Sequence, residues 1–213
     1  MKDADTTLRR YRDLVTRYHA ALDLMSDRGL AELDRFLEEG RRFAALVERL
    51  AGAAATVVDV GSGAGLPGVV IAACLPEATV HLVERRRRRV AFLELAVATL
   101  GLANARVFGG DVRQMTGVAA NAVTAQAVTG LAELAELSVG VRADPAWLIT
   151  RRGEGWRHDA GALLGALGSA TRAGTAPAAS GTAGAELVEE PLEHRGSLVA
   201  LKLLGGATCR SSA

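Results

Sequence analysis

The stretch Asp59-Val60-Gly61-Ser62-Gly63-Ala64-Gly65-Leu66-Pro67-Gly68 decides how the rest of the chain is read. It follows an apolar β-branched run (Thr56, Val57, Val58), precedes a second apolar run from Val69 to Leu75, and is trailed by Glu84. A strand that ends in closely spaced glycines and runs into a helix lets backbone approach a ligand closely, because glycine tolerates positive φ and has no Cβ. An acid about twenty residues further on is where the ribose of a nucleoside cofactor would be held through its hydroxyls. Pro67 suits a first helical turn, where its missing N–H costs nothing.

Outward from this loop the pattern alternates strand and helix. Strands are predicted at Thr56 to Val60, Thr79 to Glu84, Ala105 to Phe108, Ala122 to Val128 and Trp147 to Thr150. Helices are predicted from about Pro67 to Leu75, from Arg87 to Leu100, where Gly101 ends the helix, and from Leu131 to Val141. Short, fully apolar strands in βα units imply a parallel sheet covered on both faces. Two last runs, Glu186 to Glu190 and Ser197 to Leu204, are joined by too short a link for a crossover helix, so they are expected to form an antiparallel hairpin. Residues 167 to 184, rich in Ala, Gly, Ser and Thr, read as a variable loop.

Before the first strand, the chain reads as helix. Leu8, Tyr11, Leu14, Val15 and Tyr18 recur at helical spacing, and after Ser26-Asp27-Arg28-Gly29 so do Leu33, Phe36, Leu37, Phe43, Leu46, Val47 and Leu50. Residues 1–53 are therefore expected to be a helical extension, packed as one unit with a ligand-binding domain over 54–213. A length of 213 residues allows one substantial α/β core with such an addition. With 49% hydrophobic and only 4% aromatic residues, that core must be built from Ala, Val and Leu.

No apolar stretch approaches the roughly 20 residues that span a bilayer, and the polar start has no signal-peptide core. Cys74 and Cys209 stand in no metal or redox spacing and the four histidines are scattered, so a cytoplasmic protein without a metal is expected. The net charge of +1 argues neither for nor against nucleic acid. Its distribution says more, because Arg85 to Arg89 form an unbroken run.

The pattern of seven strands with a terminal hairpin resembles the class I S-adenosylmethionine-dependent methyltransferase fold. More narrowly, the glycine loop ending in Leu66-Pro67-Gly68 resembles the signature of the RsmG (GidB) family, which methylates guanine N7 in small-subunit ribosomal RNA. The likeness extends through Glu84, Arg88-Arg89-Val90, Phe92-Leu93, Leu100-Gly101-Leu102, Gly110 and the helix Leu131 to Leu137, and includes Ser26 and Arg28-Gly29-Leu30. It covers roughly residues 10 to 155 and the final strand.

That resemblance implies S-adenosyl-L-methionine as cofactor and 16S ribosomal RNA, or the small subunit, as partner. Gly61, Gly63 and Gly65 would lie against the methionine and ribose portions, Asp59 near the ammonium group, and Glu84 under both ribose hydroxyls. Asp111 would accept from the adenine amine while the Val112 backbone contacts the ring. Arg88 and Arg89 match basic positions of the family and would bind RNA phosphate. Each carries a plainer reading: Glu84 as a strand-end acid neutralised by its arginines, Asp111 as a turn residue, the arginine run as a solvated helix face.

On the acceptor side the chain departs from the family. In ungapped register the family's His-x-x-Asp-Ser falls on Leu37, Gly40 and Arg41, and its Phe-Asp falls on Ala120 and Asn121. The Ser-Arg-Ala closing the fourth strand falls on Ala125, Gln126 and Ala127, and the lysine closing the fifth corresponds to Arg152 before Gly153. Gln126 and Arg152 are thus the expected catalytic-side residues. Three readings follow: a divergent RsmG-type guanine-N7 methyltransferase, a methyltransferase with another acceptor, and an inactive cofactor-binding paralogue.

Overall fold

The computed structural model describes residues 4–126, 130–154, 156–159, 186–193 and 196–203. Three helices come first: α1 (Ala4–Tyr18), α2 (Asp27–Ala31) and α3 (Leu33–Ala51). There follow β1 (Thr56–Val60), α4 (Gly68–Cys74), β2 (Thr79–Glu84), α5 (Arg87–Leu100), β3 (Ala105–Gly109), a 3-10 turn (Val112–Gln114), β4 (Ala120–Ala125) and α6 (Leu131–Leu137). The described chain closes with β5 (Arg142–Arg152), α7 (Trp156–Asp159), β6 (Glu186–Pro191) and β7 (Ser197–Leu203).

Among the described residues the strands form a seven-stranded sheet in the order β3-β2-β1-β4-β5-β7-β6. The first five are parallel, and β7 runs antiparallel to both β5 and β6. The expected architecture and its closing hairpin are therefore present. The order reverses direction between β1 and β4, and in open α/β sheets ligands bind outside the carboxyl ends of the strands at such a switch point. The glycine loop leaves β1 at that place.

One face of the sheet buries Val57, Val80, Leu82, Ala122, Trp147 and Ile149 beneath the helices α1, α3, α4 and α5. The opposite face buries Val58, Val60, Val83, Val123, Ala125 and Leu148 with Leu134, Val141 and the 3-10 turn residue Val112. Helix α4 reads Gly-Val-Val-Ile-Ala-Ala-Cys, a poor helix former by propensity. Burial overrides propensity there: Val69, Val70 and Ile71 are wholly inaccessible, each worth about 1.5–3 kcal/mol of transfer free energy. Gly40 of α3 permits the contact, since a Cβ there would lie 2.8 Å from Val70 Cβ.

The N-terminal helices share this core. Leu8, Tyr11 and Val15 of α1 join Phe43, Leu46 and Val47 of α3 in the cluster that contains Val69, Phe92 and Leu93. Basic residues of this region are engaged as ion pairs: Arg12 with Asp34 at 2.6 Å and Arg42 with Glu193 at 3.0 Å, besides Arg41 with Asp5 and Arg49 with Glu190. The last two α3 pairs, from Arg42 and Arg49, hold the hairpin against that helix. No helix among the described residues is long and apolar enough to cross a membrane.

Several boundaries differ from expectation. Helix α6 stops at Leu137, because the Ser138 hydroxyl donates back to the Leu134 carbonyl at 2.7 Å and the chain turns, leaving Val141 to pack in the core. Strand β5 is longer than Trp147 to Thr150, since Pro145 masks the pattern of its first half. The end of the fourth expected strand at 127–128, the segment 167–184, Leu204 and Cys209 lie outside the described residues.

Candidate active site

Gly61, Gly63 and Gly65 all have positive φ (69°, 57° and 101°), which turns the chain off β1 and back toward α4. The loop is anchored on β2, where the Ser62 amide donates to the Val83 carbonyl at 2.9 Å and the Gly63 amide to Glu84 Oε2 at 3.0 Å. From the other side Tyr11 of α1, with no exposed surface, donates its hydroxyl to the Ala64 carbonyl at 2.6 Å. Desolvation, with the charge of Asp59, holds this phenol far above its ordinary pKa, so it remains a donor. Nothing in the helical periodicity of α1 distinguishes Tyr11 from an ordinary core residue; its hydroxyl is the signal that was available.

The three glycines do not share one task. Gly61 and Gly63 are partly exposed and can meet a ligand, whereas Gly65 is buried. A Cβ on Gly65 would lie 2.6 Å from Val69 Cγ2 and 2.9 Å from the Tyr11 hydroxyl. What it allows is close packing of the loop on the helices.

Asp59 lies behind the loop rather than on its open side. It is fully buried, with Oδ1 accepting from Thr124 Oγ at 2.8 Å and Oδ2 from the Gly68 amide at 3.2 Å. Its carboxylate ties β1 to β4 and to the start of α4. Burial pushes its pKa up from 3.8 to about 6, with the Glu84 charge adding to the rise and the hydrogen bonds opposing it. A carboxyl raised in the folded state stabilises the fold most when protonated, so that contribution is full below about pH 4 and is lost as pH rises through about 6. Urea denaturation of wild type and Asp59→Asn is expected to show this. The stability difference between the two should shift against wild type by on the order of 3 kcal/mol from pH 3.5 to 7; a constant difference would refute it.

Glu84 closes β2 with 7% exposure. Its Oε1 accepts from the amides of Arg85 (2.7 Å) and Arg86 (2.8 Å), and Oε2 from Gly63. Of the roughly four acceptor directions of a carboxylate, the one left open is on Oε2. Beyond β3, Asp111 caps the 3-10 turn, and its carboxylate accepts from the Arg113 amide (3.0 Å), Nε (2.9 Å) and guanidinium terminus (2.7 Å). These bonds, chiefly the side-chain ones, hold its carboxyl well below the usual carboxylate range. The expected adenine contact therefore meets a group already paired. Val112 itself is buried and anchors the turn in the core.

Of the arginine run, Arg88 is exposed as an RNA contact requires, while Arg89 is engaged within the protein. Arg89 Nε donates to the Asp23 carbonyl at 2.9 Å, and its guanidinium lies 3.7 Å from where a Gly63 Cβ would stand. Successive helical residues point about 100° apart, so the run divides between solvent and the loop.

Acceptor-side residues are rearranged most. By strand alternation Gln126 falls on the α3 face, two residues beyond Thr124, while Arg152 falls on the opposite face. Gln126 and Arg152 are therefore not brought together. Arg151 is the residue that meets Gln126, through Glu39 of α3: Gln126 Nε2 donates to Glu39 Oε2 at 3.3 Å, and Arg151 Nε lies 3.1 Å from the same oxygen. Arg35 approaches Glu39 Oε1 at 3.5 Å. A Glu-Glu pair in a charged helix reads as solvent-facing in the sequence, yet Glu39 is 5% exposed.

Residues 4–155 match the family model GidB, described as rRNA small subunit methyltransferase G. The ribosomal RNA small subunit methyltransferase G of Neisseria meningitidis serogroup B is 37% identical over 98 residues, 46% of this chain and 47% of that protein. That of Thermobifida fusca is 40% identical over 126 residues, 59% of this chain and 52% of its own. The chain thus spans about half the length of the curated relatives it matches. Among solved structures, an S-adenosylmethionine-dependent O-methyltransferase from Thermotoga maritima superposes with a TM-score of 0.55 at 14% identity, over 83% of this chain and 67% of that one, a likeness of fold. A match across most of the chain, over a span that includes the glycine loop and β1 to β5, places this protein in the GidB family, described as rRNA small subunit methyltransferase G.

Proposed function

We propose that this protein is an S-adenosyl-L-methionine-dependent methyltransferase acting on guanine N7 of 16S ribosomal RNA within the small subunit. The observation that carries the reading is the glycine loop at the sheet's switch point, locked to Glu84 through the Gly63 amide at 3.0 Å. The residues present fit the cofactor. Gly61 and Gly63 leave room for close backbone approach, Glu84 Oε2 keeps an acceptor direction for a ribose hydroxyl, and the 3-10 turn at Val112 borders the same end of the sheet. Residues 1–53 belong to this unit through Tyr11, which props the loop from behind.

When bound, S-adenosyl-L-methionine supplies an activated methyl group on a sulfonium sulfur. Guanine N7 carries a lone pair at neutral pH, so the protein needs no general base. Its work is to hold an unstacked base in line with the methyl group, and placement of this kind can supply roughly 7–11 kcal/mol. Exposed Arg88 is suited to RNA phosphate, and Gln126 with Arg151 to the base.

The test is transfer of labelled methyl from S-adenosylmethionine to 30S subunits taken from a strain without its own enzyme of this type. Label on guanine N7 of the 16S RNA is the expected result. Cofactor binding by calorimetry with no transfer to RNA would overturn the assignment, and label on another atom or acceptor would move it to a different substrate.

A further inference from the structure

Glu39 is a buried carboxylate facing the carboxyl ends of β4 and β5, with Gln126, Arg151 and Arg35 around it at 3.3, 3.1 and 3.5 Å. A carboxylate only accepts hydrogen bonds. Set against Glu39 Oε2, the Gln126 amide must therefore turn its NH2 inward, which leaves its carbonyl oxygen as the group it can offer to a ligand. Arg151, whose side chain is 25% exposed, sits against the same carboxylate oxygen and offers only donors. Gln126 is itself half-buried, so both reach the surface while Glu39 does not.

An acceptor beside a donor has a chemical meaning for purines. Guanine presents a donor at N1–H next to an acceptor at O6. Adenine presents the reverse, an acceptor at N1 next to a donor at N6. Gln126 Oε1 receiving N1–H while Arg151 donates to O6 matches guanine and opposes adenine. Reading that edge leaves N7, on the other edge of the ring, free to face the methyl group.

We propose that Glu39 is a positioning residue that orients Gln126 and Arg151 as the reader of the guanine Watson–Crick edge. The proposal rests on the methyltransferase reading above. Without it the glutamine has no fixed polarity and the arginine no fixed position, because a neutral partner at position 39 would let the Gln126 amide rotate and release Arg151.

The experiment compares wild type, Glu39→Gln and Gln126→Ala on 30S particles reconstituted with guanosine or with adenosine at the modified nucleotide. Wild type should prefer guanosine. Both variants should lose about tenfold of that preference, with kcat/KM for the guanosine particle falling while S-adenosylmethionine affinity by calorimetry stays within twofold. Glu39→Asp, still an acceptor only, should recover part of it. An unchanged guanosine preference in both variants overturns the proposal, as does a loss of cofactor affinity parallel to the loss of transfer. No transfer by wild type to either particle overturns the methyltransferase reading itself, which is a separate outcome.

Discussion

Replacing Gly65 with alanine is expected to destabilise this protein strongly. The residue sits at φ 101°, a conformation that L side chains rarely adopt and that costs about 1–3 kcal/mol to impose. The added methyl would also lie 2.6 Å from Val69 Cγ2, 2.9 Å from the Tyr11 hydroxyl and 3.3 Å from Leu93 Cδ2. Those atoms belong to three different helices, so no single rotamer change relieves the contact, and overpacking of this kind costs about 1–3 kcal/mol more. Gly65→Ala should therefore lose roughly 2–6 kcal/mol and melt roughly 4–24 °C lower, read by circular dichroism. Gly63→Ala is the control. It shares the positive φ, but the nearest atom to its Cβ position is 3.7 Å away, so it should melt higher than the Gly65 variant. Equal melting temperatures would show that packing against α1 and α4 contributes nothing.

Glu84→Gln is expected to remove cofactor binding while leaving most of the fold. The carboxylate now serves three backbone N–H donors with two oxygens. An amide has one oxygen, so its NH2 must face either the Gly63 amide or those of Arg85 and Arg86, donor against donor. Leaving a buried N–H unpaired costs about 1–3 kcal/mol, and here the affected group is the loop that would contact the ligand. Together with the lost charge toward a ribose hydroxyl, affinity for S-adenosylmethionine should fall about 100-fold or more. Calorimetry measures it, with a melting curve to show that the variant is folded. A dissociation constant within threefold of wild type would remove Glu84 from the site.

The two variants probe parts of the loop that differ in how far they could be read from the chain. Glycine spacing, the β-branched strand before it and the acid after it point to a nucleoside pocket without any coordinates. The distinction between Gly63 and Gly65 does not follow from them, because it depends on which helices lie behind the loop. Asp59 shows the same limit. Its motif suggested ligand contact, but Thr124, distant in the chain and adjacent in the sheet, takes one of its oxygens and burial does the rest. Arg152 corresponds in register to a family lysine. A strand exchanges faces at every residue, so its neighbour Arg151 is the one that meets Glu39.

By itself the sequence determined the βα alternation, the closing hairpin, the glycine loop and the acid behind it. These depend on local periodicity, on glycine's conformational freedom and on loops too short to cross a sheet. Only the tertiary structure decided which polar groups meet. It brought Tyr11 of α1 to the loop carbonyl and buried Asp59 as a tie between strands. It also brought Gln126, just past β4, and Arg151 of β5 to the Glu39 carboxylate of α3. Residues so far apart in the chain carry no mutual signal in their spacing; the order of strands in the sheet and the packing of α3 across it make them neighbours.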